Sequence, residues 1–313
     1  MTWDPAHLPT HEGRTFVVTG ATAGIGYFAA EQLAATGAHV VLASRSADKL
    51  AVALRAIREH VPKASLSTAL LDLASLSSVR AASEQLVSLP RLDSVLLNGG
   101  SMTMRRTDRT RDGLPMIVGT HVIANTALVA GILPALRRSG SASDGRPARI
   151  VHTSTGFVAQ FAMRPGGGAL LTPRVSIAAY TKAKTITEVF AFELDRRLRA
   201  AGLPVHSIVT RPGVGVDAKT PTRAGIRDAT TPYQRNPYTP WAQGKDTAAW
   251  SAVRAMTDPA ATGGEYYAPS GRLRGLPERV DPTARTAAPA PEVANRIWDE
   301  LEELTGAPIL PGA

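Results

Sequence analysis

The sequence predicts an α/β fold in which a doubly wound parallel sheet of about seven strands carries helices on both faces. Two observations lead to this prediction. Short β-branched and aliphatic runs alternate with longer helix-like segments through the first two thirds of the 313 residues. These runs are largely apolar, as in Thr15–Thr19 (TFVVT) and Ala38–Ala43 (AHVVLA), which is typical of strands buried on both faces. Because sheets of this class often reach this size, we interpret residues 1–313 as a single domain.

The predicted elements alternate along the chain. The strands are Thr15–Thr19, Ala38–Ala43, Ser67–Leu71, Ser94–Leu97, Arg149–Thr153, Pro204–Thr210 and a last one that includes Glu265–Tyr267. The helices are Gly24–Thr36, Ala47–His60, Ser75–Leu89, Pro115–Leu136, Ser176–Ala201 and Pro291–Leu304. Residues 220–245 contain four prolines and little periodicity, so we interpret them as a substrate lid or, alternatively, as a surface excursion.

The composition excludes several classes of site. Cysteine is absent, which rules out disulfides, thiolate catalysis and cysteine-ligated zinc. The seven histidines are scattered, and none forms a His-Glu-x-x-His pair, so we expect no metal site. The net charge of +9 is spread along the chain, and we expect no nucleic-acid partner. One dense cluster, residues 105–111, is interpreted as a solvated loop, with an anion-binding patch as the alternative.

No apolar run in the sequence is expected to approach the length needed to cross a bilayer, and the N-terminus shows no apolar signal-peptide core. We therefore expect a cytoplasmic protein without a membrane partner.

A glycine-rich turn follows the first predicted strand and opens the first predicted helix. In the segment Thr19–Gly26, Gly20 permits a sharp turn, Gly24 lets the backbone approach a pyrophosphate, and Gly26 permits close packing of the helix on the strand. The pyrophosphate is expected at the amides of the helix N-terminus, where the helix dipole favours an anion. This context predicts a dinucleotide site.

Arg45 lies just after the second predicted strand, nineteen residues beyond Gly26. An acidic residue there would bind a ribose 2′-hydroxyl, whereas a guanidinium forms charge-assisted hydrogen bonds with a 2′-phosphate. The position therefore favours NADP(H) over NAD(H).

Only one of the six tyrosines, Tyr180, is followed four residues later by a lysine, Lys184. Residues i and i+4 of a helix share a face, and a nearby ammonium is expected to lower the pKa of the phenol. Such a tyrosine can exchange a proton with a carbonyl or an alcohol. Ser154 and Thr155 follow the fifth predicted strand, where a hydroxyl can orient the substrate oxygen.

Together these motifs resemble the short-chain dehydrogenase/reductase family, with the strongest likeness to its retinol-dehydrogenase-like and bacterial secondary-metabolite branch. The resemblance covers roughly Gly13 to Gly306 and implies a Rossmann-like fold. It also implies an adenine contact at Asp72 and Leu73 and a Pro-Gly turn at Pro212 and Gly213. The implied cofactor-binding positions are Thr19, Gly20, Thr22, Gly24, Ile25, Gly26, Arg45, Asp72, Leu73, Asn98, Gly99, Gly100, Tyr180, Lys184, Pro212 and Gly213.

Several positions depart from the family pattern. His121 takes the place of the family's helical asparagine, with Asn125 one turn further. Three alternatives follow: His121 relays protons, Asn125 replaces the asparagine, or the relay is broken. The register of the catalytic hydroxyl points to Thr155, with Ser154 adjacent. The threonine that follows Pro-Gly in the family falls near Asp217.

We therefore expect an NADP(H)-dependent oxidoreductase that interconverts a carbonyl and an alcohol on a small, hydrophobic substrate. Its expected catalytic residues are Tyr180, Lys184, Thr155 or Ser154, and His121. The alternatives are a non-redox enzyme, such as a dehydratase or cyclase, and a non-catalytic NADP(H)-binding protein. The resemblance further implies a homodimer or homotetramer.

Overall fold

The structure, a computed structural model, describes residues 3–102, 105, 107–142, 145–161, 163 and 175–310. In this part of the chain one sheet contains eight strands in the order β3-β2-β1-β4-β5-β6-β7-β8. The first seven are parallel, and β8 pairs with β7 in the antiparallel direction. The strands are β1 (Thr15–Thr19), β2 (His39–Ser44), β3 (Ser65–Leu70), β4 (Ser94–Leu97), β5 (Ala148–Thr153), β6 (Val205–Thr210), β7 (Tyr266–Pro269) and β8 (Pro277–Arg279).

Eleven α-helical segments connect these strands in the described residues. They are α1 (Gly24–Ala35), α2 (Ala47–His60), α3 (Leu76–Val87), α4 (Met116–Val118), α5 (Ala124–Gly140), α6 (Phe157–Gln160), α7 (Ser176–Ala200), α8 (Lys245–Ala248), α9 (Trp250–Thr257), α10 (Ala284–Ala287) and α11 (Pro291–Thr305). Segments α4 and α5 belong to one continuous helix, Met116–Gly140, which contains a π turn at Gly119–Ile123.

The sheet is covered on both faces. Side chains of successive strand residues point to opposite faces, so Val17 packs in one core layer while Phe16 and Val18 pack in the other. The first layer includes residues of α3, α5, α7 and α11, and the second includes residues of α1, α2 and α9. The predicted doubly wound α/β class is therefore confirmed.

The fold differs from the sequence-based expectation in several places: it contains an additional strand, a longer helix and the helical segments α6, α8, α9 and α10, none of which was predicted. The antiparallel strand β8 was not predicted, because its three residues, Pro277–Arg279, are too few and too polar to form an apolar run. The helix predicted to end at Leu136 continues to Gly140, and the basic side chains of Arg137 and Arg138 in its last turn favour this extension.

The continuous helix Met116–Gly140 is long and apolar enough to cross a membrane by length and composition alone. The expectation that no apolar run has this length is therefore wrong. The physical reason for its composition is burial, since 78% of its most apolar 18-residue stretch lies inside the fold. The cytoplasmic location stays a prediction.

Replacing Leu128 of α5 with alanine is expected to lower the free energy of unfolding by about 3 kcal/mol. Leu128 is 0% exposed, so the substitution removes buried methyl groups and leaves a cavity between the helix and the sheet. Urea denaturation measures the change. The control is Leu70→Ala, at a side chain that is 57% exposed, for which a loss below about 1 kcal/mol is expected. Equal losses in the two variants would contradict the buried position of α5.

Candidate active site

The carboxyl ends of the parallel strands place the predicted cofactor residues along one edge of the sheet. Thr19, the last residue of β1, accepts hydrogen bonds on its Oγ1 from the backbone amides of Asn98 and Gly99, at 3.0 and 2.9 Å. The same hydroxyl donates to the carbonyl of Leu96 at 3.2 Å. These bonds fix the loop after β4 against the glycine turn after β1, so the structure brings these two predicted cofactor segments together.

The geometry of the glycine turn matches its predicted role. Gly20 and Gly24 have φ angles of +69° and +56°, which favour glycine. A Cβ atom at Gly26 would collide with the carbonyl oxygen of Gly20. Helix α1 has Ala23 at its N-cap, with no side-chain cap and no acidic residue in the first turn. Its N-terminal amides can therefore bind an anionic group.

A cavity of about 200 Å³ adjoins this turn. Its walls include Arg45, Asp72 and Leu73, together with Gly99 and Gly100. The Asp72 carboxylate lies 3.6 Å from the guanidinium of Arg111, so Arg111 of the basic cluster reaches the side of the crevice where adenosine is predicted. The structure thus brings the predicted adenosine-binding residues to one opening.

Helix α7 carries Tyr180 and Lys184 on one face, as the spacing predicts. The Lys184 Nζ lies 5.9 Å from the centre of the Tyr180 ring and donates to the carbonyl of Thr153 at 2.5 Å. Burial lowers the pKa of Lys184 to about 8, while the charge of Glu188 acts in the opposite direction.

The expectation that Lys184 lowers the pKa of the tyrosine is wrong in this structure. Burial raises the pKa of Tyr180 to about 12, and the opposing influence is a hydrogen bond from Thr155. Desolvation dominates because the phenolate loses its hydration, whereas the Lys184 ammonium is directed towards a backbone carbonyl. Tyr180 is consequently a protonated phenol at neutral pH.

The structure separates the two candidate hydroxyls after β5. The side chain of Ser154 is buried and donates to Glu188 Oε1 at 2.5 Å, whereas that of Thr155 bonds to the Tyr180 hydroxyl. Thr155, rather than Ser154, is therefore the hydroxyl that shares a site with the phenol.

His121 also contacts the Tyr180 ring. Its ring packs edge-on to Tyr180, with centroids 5.3 Å apart and an interplanar angle of 73°. Both ring nitrogens are buried and have no hydrogen-bond partner among the residues that the structure describes. Burial and the charge of Lys184 hold the pKa of His121 well below its usual range, so the ring is neutral.

Asn125 has a different environment from His121. Its Nδ2 donates to the backbone carbonyls of Thr120 and His121 at 3.0 and 3.1 Å. These carbonyls belong to the π turn, whose altered hydrogen-bond pattern leaves acceptors for a side chain. The Asn125 amide thus stabilises the turn, and the turn places His121 beside Tyr180.

The Pro-Gly turn after β6 closes the site at the other end of the crevice. Gly213 has a φ of +67°, and a Cβ atom there would collide with the carbonyl of Leu273. The Pro212 carbonyl accepts a hydrogen bond from Gln243 Nε2 at 2.8 Å. Asp217, at the place where the family pattern has a threonine, is buried and pairs with Lys245 at 2.5 Å.

Glu188 is the functional-site residue that the sequence analysis missed. Its buried carboxylate accepts hydrogen bonds from three hydroxyls, those of Ser154, Tyr266 and Thr286, at 2.5, 2.9 and 2.8 Å. The available signal was an acidic residue among the apolar positions of the helix, four residues after Lys184. It connects the residue that follows β5 with β7 and α10, next to the candidate catalytic residues.

Comparison with known proteins decides the family. The model of the short chain dehydrogenase family matches residues 14–165. Over 310 residues the chain is 32% identical to polyprenol dehydrogenase from Mus musculus, in an alignment that covers 97% of this chain and 87% of the mouse protein. The chain belongs to the short-chain dehydrogenase family. This dehydrogenase carries its Tyr180 and Lys184 beyond the segment that the family model matches, so their roles depend on the geometry described above.

Two solved structures are similar to this short-chain dehydrogenase. A crystal structure of an uncharacterised protein from Mycobacterium paratuberculosis has a TM-score of 0.76 and 25% identity, and the superposition covers 98% of this chain and 99% of the other. A short-chain dehydrogenase from Shigella flexneri 2a, solved in complex with NADP, has a TM-score of 0.62 and 22% identity over 84% of this chain and 99% of its own. The second likeness shows the fold alone.

Glu188→Gln is expected to change how stability depends on pH. Burial raises the pKa of Glu188 in the folded protein, so the folded state retains a proton that the unfolded chain releases. Its contribution to the free energy of unfolding therefore falls as the pH rises from about 4.5 through the folded-state pKa. The glutamine variant lacks this titration. The free energy of unfolding of the wild type minus that of Glu188→Gln, both measured by urea denaturation, is therefore expected to be larger at pH 5 than at pH 7.5.

The matched control is Glu303→Gln, on the exposed side of α11. A wild-type advantage over Glu188→Gln that stays constant from pH 5 to pH 7.5, or grows with pH, would contradict the assigned environment of Glu188.

Proposed function

We propose that this protein is an NADP(H)-dependent oxidoreductase that interconverts a carbonyl and an alcohol on a small, hydrophobic substrate. The observation that carries the proposal is the contact of Tyr180 with Thr155, Lys184 and His121 at the edge of the sheet that also bears the glycine turn. The proposed proton donor and the predicted dinucleotide site would then share the edge of the sheet at which the parallel strands end. Membership of the short-chain dehydrogenase family supports the same chemistry.

The residues present fit a pyridine dinucleotide. The uncapped N-terminus of α1 can bind the pyrophosphate, and the cavity beside Asp72 and Leu73 can take the adenosine. Arg45 in the wall of that cavity favours a 2′-phosphate. The NADP complex of the Shigella flexneri dehydrogenase is consistent with this choice. When bound, the nicotinamide supplies or accepts the hydride.

The catalytic side chains favour proton donation. Because burial raises the pKa of Tyr180 to about 12, the phenol carries its proton at neutral pH and can give it to a developing alkoxide. The Thr155 hydroxyl, already bonded to the phenol, can orient the substrate oxygen. This arrangement suits reduction of a carbonyl.

Lys184 and His121 are the groups that can return a proton to Tyr180. A buried amine whose pKa is lowered to about 8 can gain and lose a proton near neutral pH. The neutral His121 ring has one nitrogen that can accept and one that can donate, and both lack partners among the described residues. We assign His121, rather than Asn125, the relay role of the family's asparagine.

Apolar side chains in the segments that carry Tyr180 and Thr155 support a hydrophobic substrate. Val175 and Ile177, at the start of α7, are 62% and 41% exposed although they are large and apolar. The rings of Phe157 and Phe161 pack against each other beyond Thr155, with centroids 5.4 Å apart. A substrate that covers these side chains removes apolar surface from water. The relative polyprenol dehydrogenase is named for an isoprenoid alcohol, which fits this chemistry.

Tyr180→Phe is expected to lower kcat/KM for NADPH-dependent carbonyl reduction at least about 100-fold, because the proton donor is lost. A panel of aliphatic, aromatic and isoprenoid ketones and aldehydes, followed by NADPH absorbance and product mass, makes the measurement. Thr155→Val should also be strongly impaired, whereas Ser154→Ala, which removes a hydroxyl committed to Glu188, should lose less.

Undiminished turnover by Tyr180→Phe would overturn the mechanism. A product lighter by one water, with no change in the cofactor, would indicate a dehydratase. Tight NADPH binding without turnover of any compound would indicate a cofactor-binding protein.

Arg45→Ala is expected to weaken NADPH binding about 10- to 100-fold, the equivalent of a lost charge-assisted hydrogen-bond pair, and to leave NADH binding within a few-fold. Calorimetric titration with the two cofactors measures this ratio. Equal losses of affinity for NADPH and NADH would show that Arg45 does not bind the 2′-phosphate.

A further inference from the structure

The lid segment (residues 220–245) packs on α1, which begins in the glycine turn, and on α2. Arg223 forms a two-pronged ion pair with Glu31 of α1, at 2.7 and 2.8 Å. Gly225 lies against Val52 of α2 so closely that a Cβ atom there would collide with the valine side chain. The segment therefore covers the outer side of the predicted dinucleotide site.

Asp217 contacts the C-terminal end and two interior positions of the lid segment. Its carboxylate pairs with Lys245 at 2.5 Å and accepts the Gln234 amide at 2.9 Å, and Arg227 lies 4.0 Å away. Although burial acts to raise the pKa of Asp217, the hydrogen bonds from Lys245 and Gln234 lower it overall. The ionised Asp217 carboxylate thus holds the Lys245 and Arg227 side chains of the lid segment close to each other.

These cations also line a cavity of about 440 Å³ between the lid segment and the glycine turn. Thr22 and Gly24 form one wall, and Lys49, Arg227 and Lys245 surround the opening with Asp217 as the carboxylate among them. The Lys245 side chain passes over Gly24, its Cδ 3.7 Å from where a Cβ of that glycine would lie. The cavity is large enough for phosphate groups and carries more positive than negative charge.

The position of Lys245 is unfavourable without a nearby anion. A helix N-terminus bears a partial positive charge, and α1 has neither a capping side chain nor an acidic residue in its first turn. A lysine that is held over this end therefore needs an anion close by. Asp217 provides one, and a dinucleotide pyrophosphate on the α1 amides would provide a second at the same place.

Arg227 lines the same cavity as the glycine turn. The cavity that it lines extends to Thr22, whose hydroxyl lies 3.2 Å from that of Ser44, the residue before Arg45. The Arg227 guanidinium is also stacked on Tyr233, 5.0 Å from the ring centre, which holds it in the lid segment. This places a lid cation on the side of the turn where a 2′-phosphate is expected.

We propose that the lid segment closes on the cofactor, with Lys245 binding the pyrophosphate and Arg227 the 2′-phosphate. This inference rests on the proposed NADP(H) function and assigns the segment to cofactor recognition rather than to substrate recognition. Asp217 holds the two cations in place before the phosphates arrive.

The test is calorimetric titration of the full chain with NADPH and NADH. Lys245→Met should weaken both cofactors about tenfold, because both contain the pyrophosphate. Arg227→Met should weaken NADPH about tenfold and NADH by less than twofold. The matched control is Arg235→Met, which removes an exposed cation of the same segment and should bind both cofactors as the wild type does. Lys245→Arg, which retains the charge, should recover most of the affinity.

The outcomes separate this inference from the proposed function. A wild type that binds neither cofactor overturns both. A wild type that binds NADPH, with Lys245→Met and Arg227→Met as tight as Arg235→Met, overturns the lid inference alone. Thermal unfolding of each variant identifies any loss that comes from misfolding, and a loss that Lys245→Arg does not recover in a folded protein also counts against the charge-based contact.

Discussion

The hydroxyl of Thr19 holds together the two segments between which the crevice opens. The strand order reverses between β1 and β4, and in open α/β sheets such a switch point is where the loops diverge and leave a crevice. Thr19 bridges this point by bonding to the amides of Asn98 and Gly99. The glycine turn, the adenosine cavity and the loop that contacts His121 all take their positions from this bridge.

Burial, more than charge pairing, sets the proton chemistry of the site. It raises the pKa of Tyr180, lowers that of Lys184 and keeps His121 neutral. Two local interactions act against burial: the Thr155 hydrogen bond lowers the pKa of Tyr180, and the charge of Glu188 raises the pKa of Lys184. The outcome is a buried, protonated phenol that contacts a hydroxyl and a neutral imidazole.

Glu188 and Asp217 show how this chain uses buried carboxylates to position other groups. Glu188 accepts hydrogen bonds from Ser154 after β5, Tyr266 of β7 and Thr286 of α10. Because the Ser154 hydroxyl is bonded in this way, Thr155 is the hydroxyl beside the phenol. Asp217 forms an ion pair with Lys245 and lies near Arg227 in the lid segment. Each carboxylate is costly to bury alone and is compensated by its donors, so each fixes the local geometry of several elements.

The sequence by itself determined the elements and the local motifs. The strands were predictable because their apolar runs report burial on both faces, and the turn at Gly20 and Gly24 was predictable because positive φ angles favour glycine. The shared face of Tyr180 and Lys184 followed from helical periodicity. Only the tertiary structure decided which hydroxyl meets the phenol, how the π turn presents His121 and where the lid segment packs. These outcomes depend on contacts between residues far apart in the chain, such as Ser154 with Glu188 and Lys245 with Gly24, and no local pattern encodes such distances.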